Sequence, residues 1–189
     1  MKIIAITTPD VTNDDASIIK HLLDRGIDIV HLRKPHADVD ACRALLAQLS
    51  AEHRARIVVH DSPELYYEFS LRGIHLNSRV TSLPQGYDGL KTRSCHTLEE
   101  VAQYKDDCDY LFLSPIFDSI SKPGYASRFT DEMLRNASAA GIIDQKVIAL
   151  GGVTPDKIAY LQSLNFGGAA MLGSLYNTRT ITDYQPITK

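Results

Sequence analysis

The sequence predicts an α/β protein of the (β/α)8 TIM-barrel class, and three observations carry that reading. Short apolar, strand-like runs alternate with amphipathic helical stretches along the chain. Eight such runs can be counted. Histidines, cations, hydroxyls and glycines collect at the C-terminal ends of the runs, whose interiors are Ile, Val, Leu and Ala. Strand-helix alternation calls for parallel strands joined by right-handed crossovers. Eight repeats favour a closed barrel over an open doubly wound sheet. With 189 residues the chain is expected to be one domain, 1–189. That is short for a barrel, so its helices must be trimmed. The last helix, within "SLYNTRTITDYQPITK" (174–189), has room for one or two turns.

Each element has its own justification. "KIIAIT" (2–7) is β-like, and 14–26 places Ile18, Ile19, Leu22 and Leu23 at helical spacing. Strand 27–33 ("IDIVHLR") and helix 38–53 follow, then strand 56–60 ("RIVVH"), helix 62–73 and strand 74–77 ("IHLN"). Residues 89–95 form a weaker strand, and Thr97 with Glu100 three residues on gives a capping box for helix 97–105. Strands 109–115, 146–150 and 168–172 are clearer, with helices at 131–141 and 155–164. Gly26, Gly73 and Gly167 each stand between a helix end and the next strand, where a left-handed cap residue is expected.

Composition limits the function classes. Hydrophobic content of 44%, charged content of 23% and a net charge of −3 describe an ordinary globular chain and point to neither nucleic acid nor an anionic membrane. Cys42, Cys95 and Cys108 show no Cys-x-x-Cys spacing, which argues against a zinc site or disulfide framework. No stretch has the length of a signal peptide's apolar core or a membrane span, so a cytoplasmic protein is expected. A homo-oligomer is left open.

In a barrel, function gathers at the C-terminal strand ends. Strand two ends in His31, Arg33 and Lys34, strand three in His60 and Asp61, and strand five in Ser94, Cys95 and His96. Strand six runs into a loop with Ser119, Ser121 and Lys122; strands seven and eight run into Gly151-Gly152 and Gly173-Ser174. Paired glycine loops after strands seven and eight, with Thr154 and Pro155 opening a helix, suit a phosphate. Arg33 and Lys122, with nearby hydroxyls, suit a phosphate or diphosphate. His96 stands one residue before a helix N-cap, whose dipole disfavours an imidazolium and leaves the ring suited to general acid–base work. The plainer alternatives are a turn histidine at His96, surface cations at Arg33 and Lys122, a helix cap at Asp61 and a core histidine at His75. Cys95 has no evident activating partner, and no pair of site carboxylates supports a glycosidase-like mechanism.

These motifs, in this order from "AIT" to "MLGSLY", resemble the thiamine phosphate synthase and TenI-type thiazole tautomerase family. The resemblance implies a barrel of thiamine biosynthesis that binds a small phosphorylated thiazole. Gly151 and Gly152, with Leu172, Gly173 and Ser174, would hold the phosphate. The synthase couples a pyrimidine diphosphate to the thiazole with Mg²⁺. Its Gln-x-Arg-x-Lys motif stands here as His31-Leu32-Arg33-Lys34-Pro35, and its Asn-Asp pair as His60-Asp61. Its second magnesium carboxylate falls at or near Val80. Ser94 and the Ser119-x-Ser121-Lys122 loop are kept. In the synthase reading Asp61 holds Mg²⁺, and His31, Lys34, His60, Ser94, Ser119 and Ser121 bind the diphosphate substrate. The tautomerase needs no cofactor and uses a histidine that matches His96, with Arg33 and Lys122 beside it. "RSCHTLEEV", "HLR" and "GGVTPDK" stand closer to the tautomerase's versions, which makes that activity the favoured expectation. A phosphate-ligand sensor on an enzyme-like fold is the alternative from another class.

Overall fold

A computed structural model describes residues 1–118, 127–172 and 175. Eight parallel strands close a barrel in sequence order: β1 (Lys2–Ile6), β2 (Ile29–Leu32), β3 (Ile57–Val59), β4 (Gly73–Leu76), β5 (Leu90–Cys95), β6 (Tyr110–Leu113), β7 (Val147–Leu150) and β8 (Gly168–Met171). β1 pairs with both β2 and β8, with Ile4 opposite Ile29 and also opposite Ala170. The helices are α1 (Asp15–Asp24), α2 (Val39–Ala47), α3 (Ala51–Arg54), α4 (Glu64–Phe69), α5 (Leu98–Tyr104), α6 (Asp131–Ala139) and α7 (Ile158–Ser163). Shortness is met by trimming, as expected: no helix separates β4 from β5, and the stretch 38–53 is two helices. The break comes at Ser50, whose hydroxyl accepts from the His53 N–H and starts α3.

Strand parity places the side chains. The outer face of each strand packs on the helices and includes Val30, Leu32, Val59, Ile74, Leu111 and Leu113. The inner face fills the barrel with Ile4, Ile6, Ile29, Val58, Tyr110, Phe112, Ile148 and Ala170. His31 and His75 share that interior and are fully buried. Of the three glycines expected to cap helices, Gly26 does so, with φ +97°. At the other two helix ends Ser70 (φ +52°) and Asn165 (φ +62°) take the left-handed position instead. Gly73 and Gly167 are there for close approach, to Leu90 and Gln145 respectively.

The described part of the 174–189 stretch is Leu175, which is helical and buried. The expected short terminal helix otherwise lies outside the described residues. Among the described residues no helix is long and apolar enough to cross a membrane.

Candidate active site

A cavity of about 590 Å³ opens at the C-terminal end of the barrel. Arg33, His60, Asn77, Ser94, His96, Ser114, Leu150 and Leu172 line it, each continuing the inward parity of its strand. Arg79 from the turn after β4 and Gly151 from the turn after β7 also face it. No described lining residue is a carboxylate. The mouth is therefore cationic and suits an anionic ligand.

Arg33 is fixed through its backbone. Its N–H donates to Thr7 Oγ1 (2.9 Å), and that hydroxyl donates back to the Arg33 carbonyl (3.0 Å), tying the ends of β1 and β2 together. Lys34 has the opposite parity and corrects the expectation of a substrate-binding cation. It points outward and is buried, with Nζ donating to Asp15 Oδ2 (2.8 Å) and to the Asp10 carbonyl (2.7 Å). Its task is to neutralise a buried carboxylate beneath α1.

His31 is likewise corrected as a rim residue. It lies below the mouth, where Nε2 meets the Tyr110 hydroxyl (2.6 Å) and Nδ1 meets His60 Nε2 (2.9 Å). His60 does line the cavity, stacked on His75 with centroids 4.1 Å apart. His75 bridges Thr92 Oγ1 (2.7 Å) and Ser94 Oγ (2.8 Å). Burial holds all three imidazoles well below their usual range, His75 down to about 3, so the network is neutral. Burial also pushes the Tyr110 hydroxyl up. Ring nitrogens of the three histidines lie within 4.8 Å of one another. They do not form a metal tripod: the His60 and His75 rings are within 24° of parallel, so their in-plane lone pairs run side by side.

His96 sits just past β5. Its backbone N–H donates to Glu100 Oε2 (2.5 Å), while the Glu100 N–H donates to Thr97 Oγ1 (3.2 Å). The expected capping box is present, with the carboxylate reaching one residue further back than in the usual form. His96 Nδ1 lies 3.0 Å from the Ser114 carbonyl oxygen. A carbonyl only accepts, so in the neutral ring Nδ1 carries the proton and Nε2 has the lone pair. Cys95, beside it, is fully buried, and burial pushes its thiol up to about 12, which removes it as a nucleophile.

Gly151 and Gly152 adopt φ +92° and +60°. A Cβ on Gly151 would stand 2.7 Å from Pro115 Cα, and one on Gly152 would collide with the Asp118 carbonyl. The pair thus lets the loop after β7 lie against the loop after β6. Gly151 and Leu172 line the cavity; Gly152 is set back, its carbonyl accepting from Lys157 Nζ (2.7 Å). The following helix starts as a 3-10 turn at Pro155–Lys157, and Thr154 makes no side-chain cap to it. The Thr154 hydroxyl is hydrogen-bonded to Asp156, which lowers that carboxyl's pKa.

Asp61 neither caps α4 nor lines the cavity. Its Oδ1 accepts from Arg79 Nε (2.8 Å) and forms an ion pair with the same guanidinium, Nη2 lying 2.7 Å away. Ser119, Ser121, Lys122, Gly173 and Ser174 lie outside the described residues. Sequence reasoning missed Arg79, Asn77 and Ser114; inward parity counted past the strand ends would have found the last two.

A closed parallel barrel with a histidine- and arginine-lined C-terminal mouth belongs to the class of (β/α)8 proteins that carry their active sites there. The family model described as thiamine monophosphate synthase (TMP-TENI) matches residues 3–175, and the chain belongs to that family of thiamine-biosynthesis enzymes. A thiamine-phosphate synthase of Mannheimia succiniciproducens is 24% identical over 187 residues, covering 91% of this chain and 84% of that protein. One of Parasynechococcus marenigrum is 28% identical over 166 residues, covering 83% of this chain; the chain spans 47% of that relative's length. Among solved structures, thiamine phosphate pyrophosphorylase from Bacteroides thetaiotaomicron superposes with TM-score 0.87 at 39% identity, over 97% of this chain and 93% of that one. The Pyrococcus furiosus protein of the same name (TM-score 0.75, 18% identity, 98% and 93% coverage) shares the fold.

Proposed function

We propose that this chain is a metal-independent thiazole tautomerase that aromatises a thiazole carboxylate phosphate. The observation that supports it best is His96, whose Nδ1–H is tied to the Ser114 carbonyl at a mouth lined by no described carboxylate. His96 Nε2 takes a proton from the non-aromatic ring. The resulting imidazolium returns one at the other end of the conjugated system, so the net change is an isomerisation. The backbone carbonyl holds the ring in one orientation through both transfers. Arg33 and Arg79 balance the ligand's negative charge, and the loops at Gly151–Gly152 and Leu172 are the proposed phosphate seat. Lys122, Ser119, Ser121, Gly173 and Ser174 retain the roles the resemblance implies.

The synthase reading has support of its own. The relatives above carry that name, and Asp61 Oδ2 is buried without a hydrogen-bond partner among the described residues. Magnesium nevertheless fits these residues poorly. Among the described residues no carboxylate lines the mouth, and Asp61, set outside it, has its Oδ1 already taken by a guanidinium. One assay tests both readings: the wild-type chain is given the thiazole carboxylate phosphate alone, or the thiazole phosphate with the pyrimidine diphosphate and Mg²⁺. Aromatisation without metal is expected. Thiamine phosphate formation with no aromatisation would replace this reading by the synthase, and binding without turnover on either would leave a sensor.

A further inference from the structure

The turn after β4 carries Arg79 beside Val80, at or near which the resemblance places the synthase's second magnesium carboxylate. The turn is firmly built. Asn77 Oδ1 accepts the N–H groups of Arg79 (2.8 Å) and Val80 (3.0 Å), and the Asn77 N–H donates to the Val80 carbonyl (2.9 Å). From this turn the guanidinium pairs with Asp61 Oδ1, to which its Nε–H donates. A guanidinium has five N–H donors, so most remain for a ligand. Arg79 lines the cavity with its side chain about half exposed. Arg33 lines the same cavity, and its charge and that of Arg79 both act on His60. A divalent ion seated on Asp61 would have to displace Arg79 or stand against its positive charge.

We propose that Arg79, held by Asp61, is a built-in cation that takes the place of a divalent metal and forms, with Arg33, a subsite for phosphate, diphosphate or carboxylate oxygens. A planar guanidinium suits such oxygens because it donates two parallel N–H bonds, and its charge needs no metal loading. Asp61 then serves as a positioning residue: it orients Arg79 and touches no ligand. The relevance to turnover rests on the metal-independent reading above, but ligand binding tests the subsite separately.

The probe is inorganic diphosphate, titrated calorimetrically into the full chain in EDTA and again in excess Mg²⁺. The wild type is expected to bind in EDTA within about threefold of its affinity in Mg²⁺. Arg79→Ala is expected to weaken binding in EDTA by about tenfold or more, and Arg79→Lys by less, since it keeps the charge but not the paired donors. Arg79 is an exposed turn residue, and an unchanged melting temperature checks that both variants fold. Wild-type binding that appears only with Mg²⁺, no binding at all, or an Arg79→Ala affinity unchanged in EDTA would each overturn the subsite. If metal-free binding stands while aromatisation fails, the tautomerase reading falls and the subsite survives.

Discussion

At His96 the tautomer is decided by what Ser114 offers: a carbonyl oxygen accepts and cannot donate, so the opposite nitrogen is left bare. Lys34 shows the same reasoning applied to charge. It was expected among the substrate-binding residues because it follows Arg33, yet successive strand residues face opposite sides, and its ammonium ends on buried Asp15. Lys34→Met is therefore expected to remove the cation paired with buried Asp15 and to cost about 3–5 kcal/mol of stability. Chemical denaturation measures this directly. A fully stable Lys34→Met chain with weakened diphosphate binding would return Lys34 to the mouth. Arg33, one residue earlier, has inward parity and lines the cavity.

Among the elements, the strands were the most legible. All eight were expected within a few residues of where they lie, most because buried parallel strands are short apolar runs bounded by polar ends; β5, with Lys91, Thr92, Arg93 and Ser94, is the exception. Helix lengths were less legible: 38–53 contains an internal Ser50 cap, and 62–73 yields six residues of α4, ending where Ser70 turns left-handed. Helical periodicity alone does not reveal such a break. For the site, the residues at strand ends were found, but which of them share a face depends on register, and that separated Lys34 from Arg33. Arg79 was out of reach because it belongs to a turn, where no periodicity operates. The Gly151–Gly152 loop was legible as glycine-dependent, and the reason is now specific. Gly152→Ala would strain a φ of +60° and drive a Cβ onto the Asp118 carbonyl, so a loss of more than about 1 kcal/mol is expected in thermal or denaturant unfolding. An Ala variant as stable as wild type would show that the two loops are not in close contact.

Across the whole molecule the barrel interior is divided. β7, β8 and β1 contribute Ile148, Ala170, Ile4 and Ile6, whereas β2 to β6 bring together two neutral hydrogen-bonded groups, His60–His31–Tyr110 and Thr92–His75–Ser94, joined by the His60–His75 stack. That division gives the fold a pH dependence. The folded-state pKa values of His31, His60 and His75 are depressed, so below about 6.5 the unfolded chain binds protons that the folded chain refuses. Stability is complete above that pH and falls as the pH drops toward the folded value, about 3 for His75. Each histidine adds a slope of up to about 1.4 kcal/mol per pH unit. Urea unfolding between pH 8 and pH 4.5 should show a flat upper region and a steep loss below pH 6.5, reduced in His31→Gln. An equal slope in that variant would place the titrating groups elsewhere.

The proposed tautomerase depends on His96 moving the proton without a metal. This is measured by aromatisation of the thiazole carboxylate phosphate in EDTA by wild type and His96→Gln, with substrate binding followed in parallel. The expected result is turnover by the wild type and a loss of about 10²–10⁴-fold in the variant at nearly unchanged binding. Full activity in His96→Gln, or wild-type turnover that appears only when Mg²⁺ is added, would contradict it.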